Sequence, residues 1–143
     1  MYRPPELFAL GAVLFFGAGL ISRLLASATQ FAVSIHGRAT AYAFSIEHVC
    51  FFTAAFFAVF AALYSFWLIP LSHRAAVWHF WLSAIGALLF WISLYAFSYT
   101  AGLRGSFASG VLVALLVSCS LLLAGQAVFL TNLLATLLRG HRT

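Results

Sequence analysis

The chain contains no lysine and no aspartate, and its only acidic residues are Glu6 and Glu47. Charged residues make up 6% of its 143 residues, whereas hydrophobic residues make up 65%, with a mean hydropathy of +1.10. A water-soluble domain draws about a quarter of its residues from the charged types to cover its surface. So little charge excludes that class and leaves a polytopic membrane protein embedded in a lipid bilayer. The length suits a single domain over residues 1–143, with no room for a second, soluble unit. Cysteine is scarce as well: Cys50 and Cys119 both lie inside apolar runs. Thiols so placed behave as small hydrophobes and give neither a disulfide framework nor a metal cluster. No Walker loop, nucleotide fingerprint, catalytic triad, CxxC or HExxH is present, so hydrolytic or redox chemistry by a protein nucleophile is not expected.

The net charge of +5 comes from seven arginines. In a soluble protein that balance would point to nucleic acid. Here the arginines stand singly at the ends of apolar segments, where they set topology and meet lipid headgroups, so no nucleic-acid partner is expected. Arg3, the apolar run from Leu7 to Ile21 and "ASA" at 26–28 mimic a secretory signal. Arg23 would fall between the apolar run and the cleavage site, so the segment reads as a retained helix.

Four apolar segments are each long enough for the ~20 residues that cross a hydrocarbon core. They run from about Leu7 to Val33, Thr40 to Leu71, Ala75 to Thr100 and Phe107 to Leu138. "RPPE" at 3–6 opens the first: proline suits the first turn and Glu6 suits the positive end of the helix dipole. Pro70 closes the second, and "GLRGS" at 102–106 separates the third from the fourth. Short connections force antiparallel neighbours, so the expected fold is an all-α, up-down bundle of four transmembrane helices. With both termini cytoplasmic, Arg3, Arg74, Arg139 and Arg142 lie inside, Arg38 and Arg104 lie outside, and Arg23 sits toward the outer part of the first helix.

Against this background Glu47 and His48 stand out, side by side in an apolar run. An ionised carboxylate in lipid costs roughly 2.5 kcal/mol or more, so Glu47 should face protein or water, or be protonated. His48 shares a helix face with Phe52, Ala55, Val59 and Ala62. Small residues there leave room beside the imidazole, either for close helix packing or for a flat macrocycle. Gln126, Thr131 and Asn132 on the fourth segment suit hydrogen bonds between helices, with a ligand or quinone site as the alternative. Trp67, Trp78 and Trp81 gather at the inner end as an interfacial belt.

The second segment reads H-V-C-F-F and, after a long apolar run, F-W-L-I-P-L. That resembles the second helix of subunit I of the heme–copper oxidases and the related nitric oxide reductases. "GAVLFFGAGLISRLL", "WHFWLSAIGALLF" and "SLLLAGQAVFLTNLLATLLR" are similar to the family's first, third and fourth helices. The resemblance implies a bacterial inner-membrane protein in which His48 ligates the iron of heme b. It further implies that Arg23 lies near the heme edge or a quinone headgroup. Only the first four of the family's many helices have a counterpart here. The ligands for copper, for the second heme and for the far side of the low-spin heme belong to the others, so no copper and no oxygen- or nitric-oxide-reducing centre is expected. Whether the chain is an enzyme stays open.

A second axial ligand must come from elsewhere. At 1.5 Å per residue His48 lies ~10 Å below the outer surface and His79 ~6 Å above the inner one, roughly 14 Å apart in depth across a ~30 Å core. His36 lies in the outer loop, ~18 Å from His48 along a helix. A homodimer with its axis along the membrane normal places two copies of His48 at equal depth. The expectation is therefore a cytochrome-b-like protein for electron transfer or heme handling, with Phe52 and Ala55 beside the porphyrin. Glu47 and Arg38 would be second partners or proton-linked groups. Two other readings remain: a non-catalytic subunit of a larger respiratory or photosynthetic complex, and a small proton-coupled transporter that uses Glu47.

Overall fold

The computed structural model describes residues 3–25, 30–33, 42–66, 72–100 and 106–140. Four helices account for most of them: α1 (Pro4–Leu25), α2 (Ile46–Phe66), α3 (His73–Thr100) and α4 (Ser106–Gly140). All four are long and apolar enough to cross a membrane. At 1.5 Å per residue they measure about 33, 31, 42 and 52 Å, so α1 and α2 just span a ~30 Å core while α3 and α4 exceed it. Large apolar side chains on the outer surface, Leu24 at 85% exposed among them, are what a lipid-facing surface requires.

The sequence places the boundaries of α3 and α4 closely but extends the facing ends of α1 and α2 too far. Residues Gln30–Val33 and Tyr42–Ser45 form an antiparallel hairpin, β1 and β2, with Gln30 opposite Ser45 and Val33 opposite Tyr42. Apolar character alone does not distinguish a strand from a helix end, and this stretch is rich in the β-branched and aromatic residues that suit a strand. An open sheet edge is not tolerated in hydrocarbon, so the hairpin belongs at the membrane surface.

The starts of α1 and α2 have local causes. Arg3 caps α1, and the Glu6 carboxylate reaches back to accept from the Arg3 backbone N–H at 3.0 Å, the reciprocal half of a capping box. One of the two acidic residues is thereby explained. Glu47 falls in the first turn of α2, where the positive end of the helix dipole favours a carboxylate.

The bundle is built from two tight helical hairpins, α1 with α2 and α3 with α4, that meet more sparingly. Glycine sets the close approach in both. A methyl group on Gly11 would collide with the Phe57 ring. One on Gly86 would stand 3.0 Å from the Leu122 backbone nitrogen and 3.1 Å from the Ser118 carbonyl. Without a hydrophobic force between helices in lipid, contact of this kind supplies the packing energy. The two hairpins join through an aromatic core: Phe8 from α1, Phe57 and Phe60 from α2, Phe80 from α3 and Phe129 from α4. A smaller cluster toward the β-hairpin end sets Cys50 against Ala18, Trp91 and Leu94.

Backbone atoms cannot move aside as a side-chain tip can, so Gly86→Ala should cost about 1–3 kcal/mol by overpacking. Nothing lies within 4 Å of a methyl group added at Gly17, so Gly17→Ala should be neutral. Reversible unfolding of both variants in detergent or bicelles measures the difference.

Candidate functional site

Two imidazoles that the sequence places in the membrane spans, His48 and His79, lie among the described residues, and the fold treats them in opposite ways. His79, on α3, is fully buried, whereas His48, on α2, is exposed.

His79 sits in an aromatic box. Its ring centroid lies 4.9 Å from Phe8, 4.5 Å from Phe60 and 5.3 Å from Phe129. Its Nδ1 lies 3.0 Å from the Tyr64 hydroxyl of α2, and its Nε2 lies 3.4 Å from Gln126 Nε2 of α4. An amide nitrogen only donates, so in this arrangement His79 Nε2 accepts and Nδ1–H donates to the Tyr64 oxygen. Gln126 Nε2 also approaches Ser83 Oγ at 3.4 Å, and Ser83 is itself fully buried. Gly125 gives this corner its room, since a methyl group there would stand 2.7 Å from Ser83 Oγ. Three helices thus converge on one ring, and both of its nitrogens are occupied by protein.

A second polar tie lies near the same end of the bundle. The buried Asn132 side chain accepts from the Ser72 backbone N–H at 3.0 Å and donates to the Ser72 carbonyl at 3.3 Å. This pairing fixes the start of α3 against α4. Of the three polar residues that suited contacts between helices, Gln126 and Asn132 make them. Thr131 instead bonds back to Ala127 and Val128 of its own helix.

His48 belongs to a different setting. It is two residues from the start of α2, about 3 Å along the helix, so it lies nearer the membrane edge than the ~10 Å depth expected from the sequence. The hairpin replaces the extra helical turns on which that depth rested. Ala55, Val59 and Ala62 on its face are exposed, and Phe52 is 71% exposed. Gly19 packs on Cys50 and Phe51, so Arg23, one turn further along α1, comes level with the start of α2. Arg23 is exposed and Glu47 half-buried. The structure therefore brings Arg23, Glu47 and His48 to one end of the α1–α2 hairpin, with Phe52 and then Ala55 further along α2 toward its middle. Arg38, His36, His141 and Trp67 lie outside the described residues. His73, Trp78 and Trp81 are exposed in the first turns of α3, where a belt at the membrane interface would place the two tryptophans.

The Tyr64–His79 contact also fixes relative depth. Tyr64 follows His48 by sixteen residues on one helix, so His79 lies ~24 Å from the level of His48. The two cannot share an iron within one chain. Among the described residues no group of three or more histidine, cysteine or acidic side chains is placed to hold a metal ion.

The residues around His79 were not legible as a site one by one. Their spacing carries a signal, however: His79, Ser83 and Gly86 on α3, and Ser118, Gly125 and Asn132 on α4, recur at helical intervals and form two facing stripes of small and polar residues. No family model matches the chain, and neither a curated protein nor a solved structure matches it.

Loss of the paired bonds to Ser72 in Asn132→Ala should cost about 1–3 kcal/mol. Thr131→Val, which removes only a bond within one helix, should stay within about 0.5 kcal/mol of the parent protein. Parallel unfolding curves of the two variants check the contrast.

Proposed function

We propose that the protein is a membrane-embedded, cytochrome-b-like heme protein in which His48 provides one axial ligand and a second copy of the chain provides the other. The observation that carries this reading is the contrast between the two imidazoles. His79 is fully buried and walled in by rings, whereas His48 is exposed on an outward face of α2 that also carries Phe52 and Ala55. An outward imidazole beside small residues suits a flat, apolar ring system shared between copies, and a two-fold axis along the membrane normal would set the two His48 side chains at equal depth.

The position near the membrane edge suits the group further. A heme b has an apolar macrocycle and two carboxylate arms, so one end favours lipid and the other favours water or cations. Arg23 lies level with the start of α2 and would meet those carboxylates, as an exposed guanidinium suits a bidentate partner. Phe52 and Ala55 would flank the ring. Two imidazoles on one iron leave no position for a substrate, so the group would supply electron transfer and not oxygen chemistry. This assignment agrees with the resemblance of the H-V-C-F-F…W-L-I-P-L segment to the heme–copper oxidase subunit. The bacterial inner membrane and cytoplasmic termini belong to the same proposal. Arginine placement supports the orientation, with Arg3 and Arg74 at one end of the helices and Arg23 toward the other.

Absorbance spectra of protein purified from heme-replete cells test the assignment. The parent protein should show a Soret band and, on reduction, an alpha band. His48→Ala should lose both, and His79→Gln should keep them. A colourless parent protein, or bands that survive His48→Ala and vanish in His79→Gln, would contradict the proposal.

A further inference from the structure

The α1–α2 pair meets the α3–α4 pair through rings: Phe8 and Phe57 against Phe80, and Phe60 against Phe129. His79 stands within that contact, fully buried, and the Tyr64–His79 bond crosses it. Each pair, by contrast, is closed by its own glycine contacts, at Gly11 on Phe57 and at Gly86 and Gly125 between α3 and α4. Parting the pairs would break the ring contacts and the Tyr64–His79 bond and leave both sets of glycine contacts intact.

The box is furnished for a neutral imidazole. A proton added at His79 Nε2 turns both ring nitrogens into donors, and Nε2 then faces Gln126 Nε2, which is a donor too. A half-turn of the amide presents Oε1 and repairs the hydrogen bond, but it brings no negative charge. No carboxylate faces the ring from any packed helix. On α1, Glu6 precedes Phe8 by two residues, about 200° around the helix, where it is exposed and accepts from the Arg3 N–H. On α2, Tyr64 is the titratable neighbour, and Glu47 lies ~26 Å from it along the helix. On α3, His73 and Arg74 are exposed near the helix start, and on α4, Arg139 lies ~20 Å along the helix from Gln126. None of these three offers a counter-charge. The faces of the surrounding rings attract a cation, yet they offset only part of the cost of withdrawing an ion from water. Water is close by, because His79 lies only six residues, about 9 Å, into α3.

We infer that the His79 box is an acid-sensitive latch: a proton taken up by His79 parts the α1–α2 pair from the α3–α4 pair at the Tyr64 end, and release of the proton closes them again. The proton comes from water at the membrane surface and stays on the imidazole, which becomes hydrated as the rings separate. The aromatic contacts and the Tyr64 bond hold the closed state, and the uncompensated charge drives the open one. The latch does not depend on heme binding at His48, ~24 Å away in level.

Spin labels at Ser65→Cys on α2 and Thr131→Cys on α4, both exposed positions at the Tyr64 end, report the separation. The full chain is placed in phosphatidylcholine nanodiscs, with Cys119→Ser removing the exposed native thiol. Between about pH 8 and about pH 4, a span that covers ordinary histidine titration, the label distance should lengthen reversibly as acid is added. A pair confined to one hairpin, Arg74→Cys with Thr131→Cys, should keep its distance. Nitrogen-15 histidine spectra of the parent protein should show His79 gaining its proton with the same midpoint. His79→Gln, which takes up no proton, should hold the α2–α4 distance constant. Tyr64→Phe, which removes one bond of the closed state, should move the midpoint to higher pH. His48→Ala should leave these results unchanged, so the latch and the heme assignment fail separately. An α2–α4 distance indifferent to pH, a lengthening that persists in His79→Gln, a midpoint that Tyr64→Phe leaves in place, or a His79 that gains its proton while the distance holds would overturn the inference.

Discussion

A neutral imidazole enclosed within a membrane-spanning bundle must have both ring nitrogens occupied, because no water is at hand to satisfy them. His79 meets that requirement with Tyr64 of α2 on one side and Gln126 of α4 on the other. The consequence is architectural. Each helical hairpin holds itself together through glycine contacts, but the two hairpins meet mainly through aromatic rings. Rings pack well in many registers, whereas a hydrogen-bonded ring accepts few. The polar contacts of His79 therefore select one register from those that Phe8, Phe57, Phe60, Phe80 and Phe129 would allow.

That register determines the rest of the molecule. It places Tyr64, His79, Phe129 and Asn132 at one end and leaves the β-hairpin end to Cys50, Ala18, Trp91 and Leu94. It keeps His79 about 24 Å from the level of His48, so the two imidazoles serve different purposes. It also sets Gln126 of α4 against His79 and Ser83 of α3. The Trp91 indole nitrogen is buried with no close oxygen or nitrogen partner among the described residues, and the Cys50 sulfur beside it in that second cluster is the weak acceptor it faces.

Composition and segment length made the architecture legible. With so few charges, four apolar runs admit little but a membrane bundle, and Pro70 and "GLRGS" mark breaks between them. The facing ends of α1 and α2 were not legible, since QFAV and YAFS are as apolar as the helices they follow or precede; strand pairing is a long-range property that hydropathy does not record. Glu47 looked anomalous only while α2 was taken to begin several residues earlier. At the true start of the helix it is an ordinary first-turn carboxylate. Helical spacing gave the residues that share the His48 face, but neither the outward aspect of that face nor the enclosure of His79. Which of two histidines is sealed depends on how the hairpins dock, and no local pattern specifies that. The Gln126 contact between helices was anticipated from residue chemistry, though its histidine partner was not.

The central claim is that Tyr64 and His79 join the two hairpins by a direct hydrogen bond. A double-mutant cycle with Tyr64→Phe and His79→Leu, followed by reversible unfolding in bicelles, measures it most directly. The account predicts that the two losses are not additive, with a coupling of about 0.6 kcal/mol or more, the usual scale for such bonds in membrane proteins. Additive losses would mean that the two side chains do not interact, and that the register of the bundle has another cause.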